Sequence, residues 1–572
     1  MAFPNVSIEE IIDGPRPVRN VSLNRVVAVG PAYKGAYKKV TLVDGDDTLE
    51  ARVGRTLDAG SIGLQCALDE GASDLGLMRV MGAARVASAY FDISGAGTVA
   101  GNVKLTLTEG ADVWEFTTAL TVGEAAGSIA AELIALLAAD ATVPVVGILD
   151  PLVADRIVLK AKVAGLAAND IAYEVEMIDA ADGLTLGSAA GNLQGGLNGP
   201  AKAGAVIDDI RLECLYEGIY GNTIKYKFVP GTVAGTVVLS LEDGDGKKES
   251  FVLQVTADNL INGNELAVLR GSAMVRGYFE GVSISAPNVP SSGTAFLTNG
   301  SDGSPITDDD YIAGLLALSK VQANIVFVPG KANASIRGAL IAHAENATIL
   351  DGLRIAVINA PRGMTVEGAA SAAQGVDSKH AVMVAGWCTY ASQPRLAAKS
   401  VSPDGFYAGH LAATAQHVSP AARSSSRFFS TIVEVDTESS VQAFNAYTDG
   451  RLEAIILDPA ANAFHCLNGR TLANDAAHYY VCIRRVSNQI QTDIFFASQP
   501  YKSEPKSSSL LGNVSALVNG YLSGKTNIGV IKGGSVSGAQ STATGIRIDF
   551  RFFPVYPADS IEYGMHRLAV DV

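Results

Sequence analysis

Few residue groups in this chain have the types and spacing for chemistry, and each also has a plainer structural explanation. Gly95-Ala96-Gly97-Thr98-Val99-Ala100 fits the loose dinucleotide fingerprint GxGxxA. That function needs a strand before the motif and a helix N-terminus after it, so that backbone amides face a pyrophosphate. Asn102 to Thr108 alternates like a strand instead, so a hairpin turn is expected. Gly524-Lys525-Thr526 evokes the end of a phosphate-binding loop, but position 519, where the partner glycine belongs, holds Asn519. A helical pattern precedes it where a strand is required, so Gly524 is expected as a helix C-cap. Asp308-Asp309-Asp310 could hold calcium, but aspartates opening an amphipathic helix cap it and complement its dipole without a metal. Asp44, Asp46 and Asp47 read as a turn. The histidines, 343, 380, 410, 417, 465, 478 and 566, include no i, i+4 pair. His410 and His417 share a helical face without a carboxylate or cysteine at ligand spacing. GxSxG, HExxH and EF-hand patterns do not occur, so no catalytic, cofactor-binding or metal-ligating residue is assigned and no enzymatic activity is expected.

Cys66, Cys214, Cys388, Cys466 and Cys482 are odd in number, scattered and without a CxxC pair. They are expected as small core residues in a reducing compartment. The net charge of −15 over 572 residues has the wrong sign for a general phosphate binder, so nucleic acid is not expected as a primary ligand. One segment runs against that balance. Between 500 and 556 the basic residues Lys502, Lys506, Lys525, Lys532, Arg547 and Arg551 face only Glu504 and Asp549. Such a segment is either an ordinary solvated face or a dock for an acidic partner.

With 48% hydrophobic and 18% charged residues the chain can bury several cores. Its mean hydropathy of +0.23 is high for a lone soluble protein. No apolar run approaches the roughly 18 residues of a membrane span, and the first residues lack a basic and apolar signal pattern. A soluble, non-exported chain is therefore expected, with part of its apolar surface covered by other subunits.

Residues 1–24 read as an extended arm, because Pro4, Gly14, Pro15 and Pro17 prevent a long helix while Val6 and Ile8 alternate with polar neighbours. Residues 25–90 open an α/β region. A β-rich insertion is expected over 91–198, bounded by the Gly- and Ala-rich stretch 187–200, and a second β-rich domain over 204–295. From 296 to 540 short, nearly all-apolar strands such as Ile325 to Val328 and Ala381 to Trp387 alternate with helices, which implies a sheet covered on both faces. Helices are expected near 475–496 and 508–522. A β tail over 541–572 starts with Ile546, Ile548, Phe550 and Phe552 at period two. The fold class expected is mixed α/β and β, multidomain, with a covered α/β sandwich core, β-rich inserted domains and extended terminal arms.

In this order the segments resemble the contractile tail sheath proteins of myophages and related injection systems. Glu217 to Lys225 (EGIYGNTIK) resembles the glycine-aromatic-glycine-asparagine turn that leads into a strand in sheaths. Leu297 to Gly303 (LTNGSDG), Ile325 to Gly330 (IVFVPG) and Val401 to Ala413 (VSPDGFYAGHLAA) follow in the family's order. Leu467 to Leu472 (LNGRTL), then Tyr479 to Ile490 (YYVCIRRVSNQI), resembles its long C-terminal helix. The resemblance covers 25–90 and 204–572, and 91–198 looks like the outer insertion of many sheaths. Around Trp387 and Cys388 the chain departs from the proline-tryptophan pair of some sheaths.

The resemblance implies a structural subunit that forms stacked hexameric rings around an inner tail tube and contracts to drive the tube through the host envelope during genome delivery. Its partners would be further copies of itself, the tail tube protein, and baseplate and terminator proteins, with no cofactor, membrane or direct nucleic acid. Its place would be the virion tail, assembled in the host cytoplasm. Other readings are a sheath of a non-phage injection system or another assembling virion protein. Val6 and Ile8 of the arm and Ile561, Tyr563 and Met565 of the tail are expected to carry inter-subunit strands. Lys502, Lys506, Lys525 and Lys532 are expected to face the tube.

Overall fold

The computed structural model describes residues 23–54, 58–153, 155–179, 182–207, 210–254, 265–279, 294–390, 399–421, 428–459 and 461–558. The chain divides into two compact units, one from residues up to 80 and from 311 onward, the other from 81 to 310.

The first unit is built on an eight-stranded sheet. Its order is Val40–Val43, Leu75–Arg79, Val26–Gly30, Ile325–Phe327, Ile355–Asn359, Ala381–Ala385, Glu453–Asp458, Ala463–Cys466. The central pairings are parallel, starting with Val26 opposite Leu75 on one side and Ile325 on the other. Only the two outermost pairings are antiparallel. Parallel strands of this kind must be buried on both faces, and Val26–Gly30, Ile355–Asn359 and Ala381–Ala385 are buried at every residue. One face packs Val26, Ala28, Phe327, Val357 and Val384 against Leu64 and Ala67 of the Ala59–Asp69 helix and Phe406 and Leu411 of the Asp404–Ala413 helix. The covered α/β core read from the sequence is present.

Arg79 ends its strand fully buried. Its guanidinium donates to the carbonyls of Ala32 (2.7 Å) and Gly35 (2.9 Å), which fixes the loop after Val26–Gly30. Farther along, the Val481–Ser498 and Ser508–Asn527 helices carry a hairpin of Ile531–Ser541 against Ile546–Pro554. The period-two residues Ile548, Phe550 and Phe552 pack with Val536 onto Leu517, Val518 and Leu522. The pairing joins the residues on both sides of position 540 into one ribbon.

The second unit is rich in antiparallel sheet. Two four-stranded sheets, 182–187/88–99/156–161/145–149 and 190–192/172–178/101–109/112–120, close with the Ala126–Ala139 helix over a core that includes Phe91, Leu105, Leu133 and Leu159. Two further four-stranded sheets are built on Ile210–Glu217 and Thr236–Glu242. The expected Glu217 to Lys225 turn is a 3-10 segment, Ile219–Thr223, leading into the strand Lys225–Pro230. Its Tyr220 is buried and donates to Asp243 Oδ2 at 2.9 Å.

Candidate functional site

A doubly wound sheet places its ligand crevice at the carboxyl ends of the strands where the winding reverses. Here that point lies between Val26–Gly30 and Ile325–Phe327, and it is filled by backbone. A Cβ on Gly60 would stand 2.3 Å from the Pro31 carbonyl oxygen, and one on Gly63 2.5 Å from Pro329 Cγ. Asp404, fully buried beside it, accepts hydrogen bonds from Ser402 Oγ (2.6 Å), Asn359 Nδ2 (2.7 Å) and Gly405 N (2.9 Å). Burial pushes its carboxyl up to about 6 against these donors. Ser402 also takes the Gly330 amide at 2.8 Å, so this carboxylate braces the loop ends. Glu453 plays the same part at the sheet's far side, accepting from the amides of Ala454, Leu467, Asn468 and Gly469. Its burial raises the carboxyl to about 7.

The motifs set aside on sequence grounds are built into structure. Gly95 to Ala100 is not a hairpin: Ser88–Val99 and Gly101–Glu109 belong to different sheets, and the chain crosses between them at Ala100. Its glycines permit close backbone approach, since a Cβ on Gly97 would lie 2.4 Å from the Thr121 carbonyl oxygen. Gly524-Lys525-Thr526 lies inside the Ser508–Asn527 helix. The C-terminal stop falls at Gly529, not Gly524: φ is +74° there, and Gly529 and Val530 donate back to the Thr526 and Lys525 carbonyls in a Schellman arrangement. Asp310 caps the Asp308–Leu318 helix by accepting from the amide and hydroxyl of Thr307 (2.8 and 3.0 Å). Asp46 opens a short helix, Asp46–Val53, where a turn was expected. His410 is buried, with Nε2 2.9 Å from the Pro420 carbonyl oxygen. All five cysteines are buried and free, and the described residues include no metal-binding cluster of His, Cys, Asp or Glu. No helix among them is long and apolar enough to cross a membrane.

The C-terminal helices and hairpin gather the basic residues. Lys502, Lys506 and Lys532 are exposed, and Lys506 donates to the Thr542 carbonyl. Lys525 departs from the expectation of a tube-facing charge. Its side chain is only 11% exposed, lies over the Tyr521 ring and pairs with Asp493 at 3.7 Å, because its helix face packs against the Val481–Ser498 helix. Asp493 also accepts from Gln489 Nε2 (2.5 Å) and Tyr521 Oη (2.7 Å). Sequence reasoning missed this polar interior, which includes Arg484, Arg485, Asn488, Gln489, Thr492 and Asp493. The i, i+4 pairs Arg484–Asn488 and Gln489–Asp493 were the available signal. Burial brings both guanidinium groups down to about 10.

The hairpin itself is a two-stranded sheet whose outer edges pair with no other strand among the described residues. Phe553 is 60% exposed and Tyr556 46%, the latter edge-on to Tyr480 at 6.2 Å. Val6, Ile8, Ile561, Tyr563 and Met565 lie outside the described residues.

No protein-family model and no curated protein matches the chain. Among solved structures, the sheath tail protein of Listeria innocua overlays with a TM-score of 0.57 at 12% identity, over 94% of this chain and 96% of that one. The sheath tail protein of Desulfitobacterium hafniense overlays with a TM-score of 0.51 at 12% identity, over 97% and 100%. The chain has the tail-sheath fold. Overlaps of 94% and 97% are too long to be confined to either compact unit, so the sheath fold takes in the parallel sheet, β-rich sheets and C-terminal segment alike. The open hairpin and the exposed lysines at 502, 506 and 532 all lie in the C-terminal segment.

Proposed function

We propose that the chain is a structural, non-enzymatic subunit of a contractile tail sheath. It polymerises as stacked hexameric rings around an inner tube, meets baseplate and terminator proteins at the ends, and contracts to drive the tube through the host envelope in genome delivery. The end-to-end sheath fold carries this reading, and the open ribbon supports it: Ile531–Ser541 and Ile546–Pro554 have outer edges that pair with no strand among the described residues, edges of the kind to which extended segments add. Val6 and Ile8 from one neighbour, and Ile561, Tyr563 and Met565 from another, are the strands proposed to add there. At about 1 kcal/mol net per hydrogen bond, four or five bonds give each arm only a few kcal/mol, so strength comes from repetition along the tube. Lys502, Lys506 and Lys532 are proposed to face the tube, whereas Lys525 is held inside against Asp493.

Deleting residues 1–20 tests the strand exchange. A folded monomer that no longer sediments as polymer is expected, and normal polymer from the shortened chain contradicts it.

A further inference from the structure

Beside the Val481–Ser498 helix lies an open cleft of about 240 Å³ whose lining includes Gln416, His417, Val486, Ile490, Lys525 and Ile528. Its floor is aliphatic, and Ile528 at its lip is 67% exposed. Lys525, paired with Asp493, lines it, and the Arg485 guanidinium lies near enough that burial and these two cations hold the His417 imidazole below its ordinary value, in its neutral form. Gln416 also lines a second, smaller cavity with Asn324, Arg485, Asn488 and Leu23. Arg485, 4% exposed, donates through Nη2 to the Thr414 carbonyl and Asn24 Oδ1. Its Nη1 and the Nδ2 of Asn324 have no hydrogen-bond partner among the described residues. An aliphatic floor beside buried donors without partners and the Arg485 guanidinium fits a segment that combines aliphatic side chains with carboxylates.

The chain carries such a segment close by. Ile8-Glu9-Glu10-Ile11-Ile12-Asp13 sets isoleucines at i, i+3 and i+4, with two carboxylates between them and a third directly after. It lies just upstream of Leu23, which lines the adjoining cavity. The ten residues from Asp13 to Leu23 can span up to about 35 Å when extended. A link that short gives an effective concentration in the millimolar range, well above that of a second copy in a micromolar solution.

We infer that in the free subunit Ile8 to Asp13 of the same chain docks in this cleft, with its isoleucines on Val486, Ile490, Ile528 and Val530 and its carboxylates toward His417, Lys525 and Arg485. The inference rests on the sheath reading for its consequence: a docked arm is withheld from the neighbour whose sheet it would join, so subunits stay separate until assembly releases it.

The test uses the full-length monomer carrying Ile12→Cys and Ile528→Cys under mild oxidation, with the five buried native cysteines out of reach. An intramolecular disulfide in most molecules is expected, forming at least tenfold more slowly when Glu9, Glu10 and Asp13 are changed to lysine. No disulfide, or covalent dimers only, overturns the inference. A second measurement needs only one exposed substitution. Cleavage of the full chain after Glu9 and Glu10 by a glutamate-specific protease should speed up at least fivefold in Ile528→Asp, and an unchanged rate contradicts docking. Both are read on monomers, so docking can stand where tube formation fails, and the reverse.

Discussion

Tyr521 donates its hydroxyl to Asp493 Oδ2 at 2.7 Å, tying the two long C-terminal helices together through a carboxylate that is 0% exposed. The bond, with the proximity of Lys525, lets a charged group sit inside a small interface that also supports the hairpin. Burial and this carboxylate hold the Tyr521 phenol well above the usual tyrosine range.

Removing the carboxylate leaves Lys525 buried without its counter-charge. Asp493→Ala should cost about 3 to 5 kcal/mol, and Tyr521→Phe about 1 to 2, measured by urea unfolding. Equal, small effects would show that the network does not brace the helices.

Glu453 gives the fold a pH dependence. A glutamate with an ordinary value of 4.5 is held at about 7 by burial, so the folded chain binds that proton more tightly than the unfolded one. Its stabilisation is therefore complete below about pH 4.5 and is lost as pH rises through about 7, an effect on the order of 3 kcal/mol. Asp404 acts in the same sense from 3.8 to about 6. Glu453→Gln should flatten the decline in urea midpoint between about pH 6 and 7, and an unchanged slope would rule out this residue as its source.

Two helical glycines should respond oppositely to alanine. A Cβ on Gly409 would meet the Ala67 carbonyl oxygen at 2.3 Å, so Gly409→Ala should destabilise by about 1 to 3 kcal/mol despite the better helix former. Gly520 has open space around it, and Gly520→Ala should stabilise by about 0.5 to 1 kcal/mol. Thermal unfolding of both variants checks the contrast.

Charge reversal separates the exposed lysines from Lys525. Lys502→Glu, Lys506→Glu and Lys532→Glu should leave stability within about 0.5 kcal/mol and weaken co-sedimentation with tail tube. Lys525→Glu should instead destabilise the fold, because it places a second carboxylate beside Asp493. Intact tube attachment in the triple variant would remove the proposed tube-facing role.

The parts of the fold legible in the sequence were those where burial and local pattern agree. Ile325–Phe327 and Ala381–Ala385 are uninterrupted apolar strands because both faces are covered, and Ala126–Ala139 is rich in alanine and leucine, strong helix formers, after Ser128. Ile531–Ser541 was missed because Gly533, Gly534, Gly538 and its serines carry no strand preference; its partner and the helix beneath impose the conformation. The long helix expected from Asp475 begins at Val481, since Asp475 caps only the 3-10 turn Ala476–His478 and Tyr480 bridges back to Arg470. Lys525 and the arginines at 484 and 485 were opaque for another reason. Charged side chains are ordinarily solvated, and it is tertiary packing that encloses these: Lys525 against the Val481–Ser498 helix, and Arg485 against Asn24 and Thr414.

A sheath subunit must build a tube. Negative-stain electron microscopy of the purified full-length protein at rising concentration tests it most directly. Striated hollow tubes with a regular ring repeat are the result expected of a sheath subunit, whereas closed shells, or monodisperse monomers at every concentration, would contradict it.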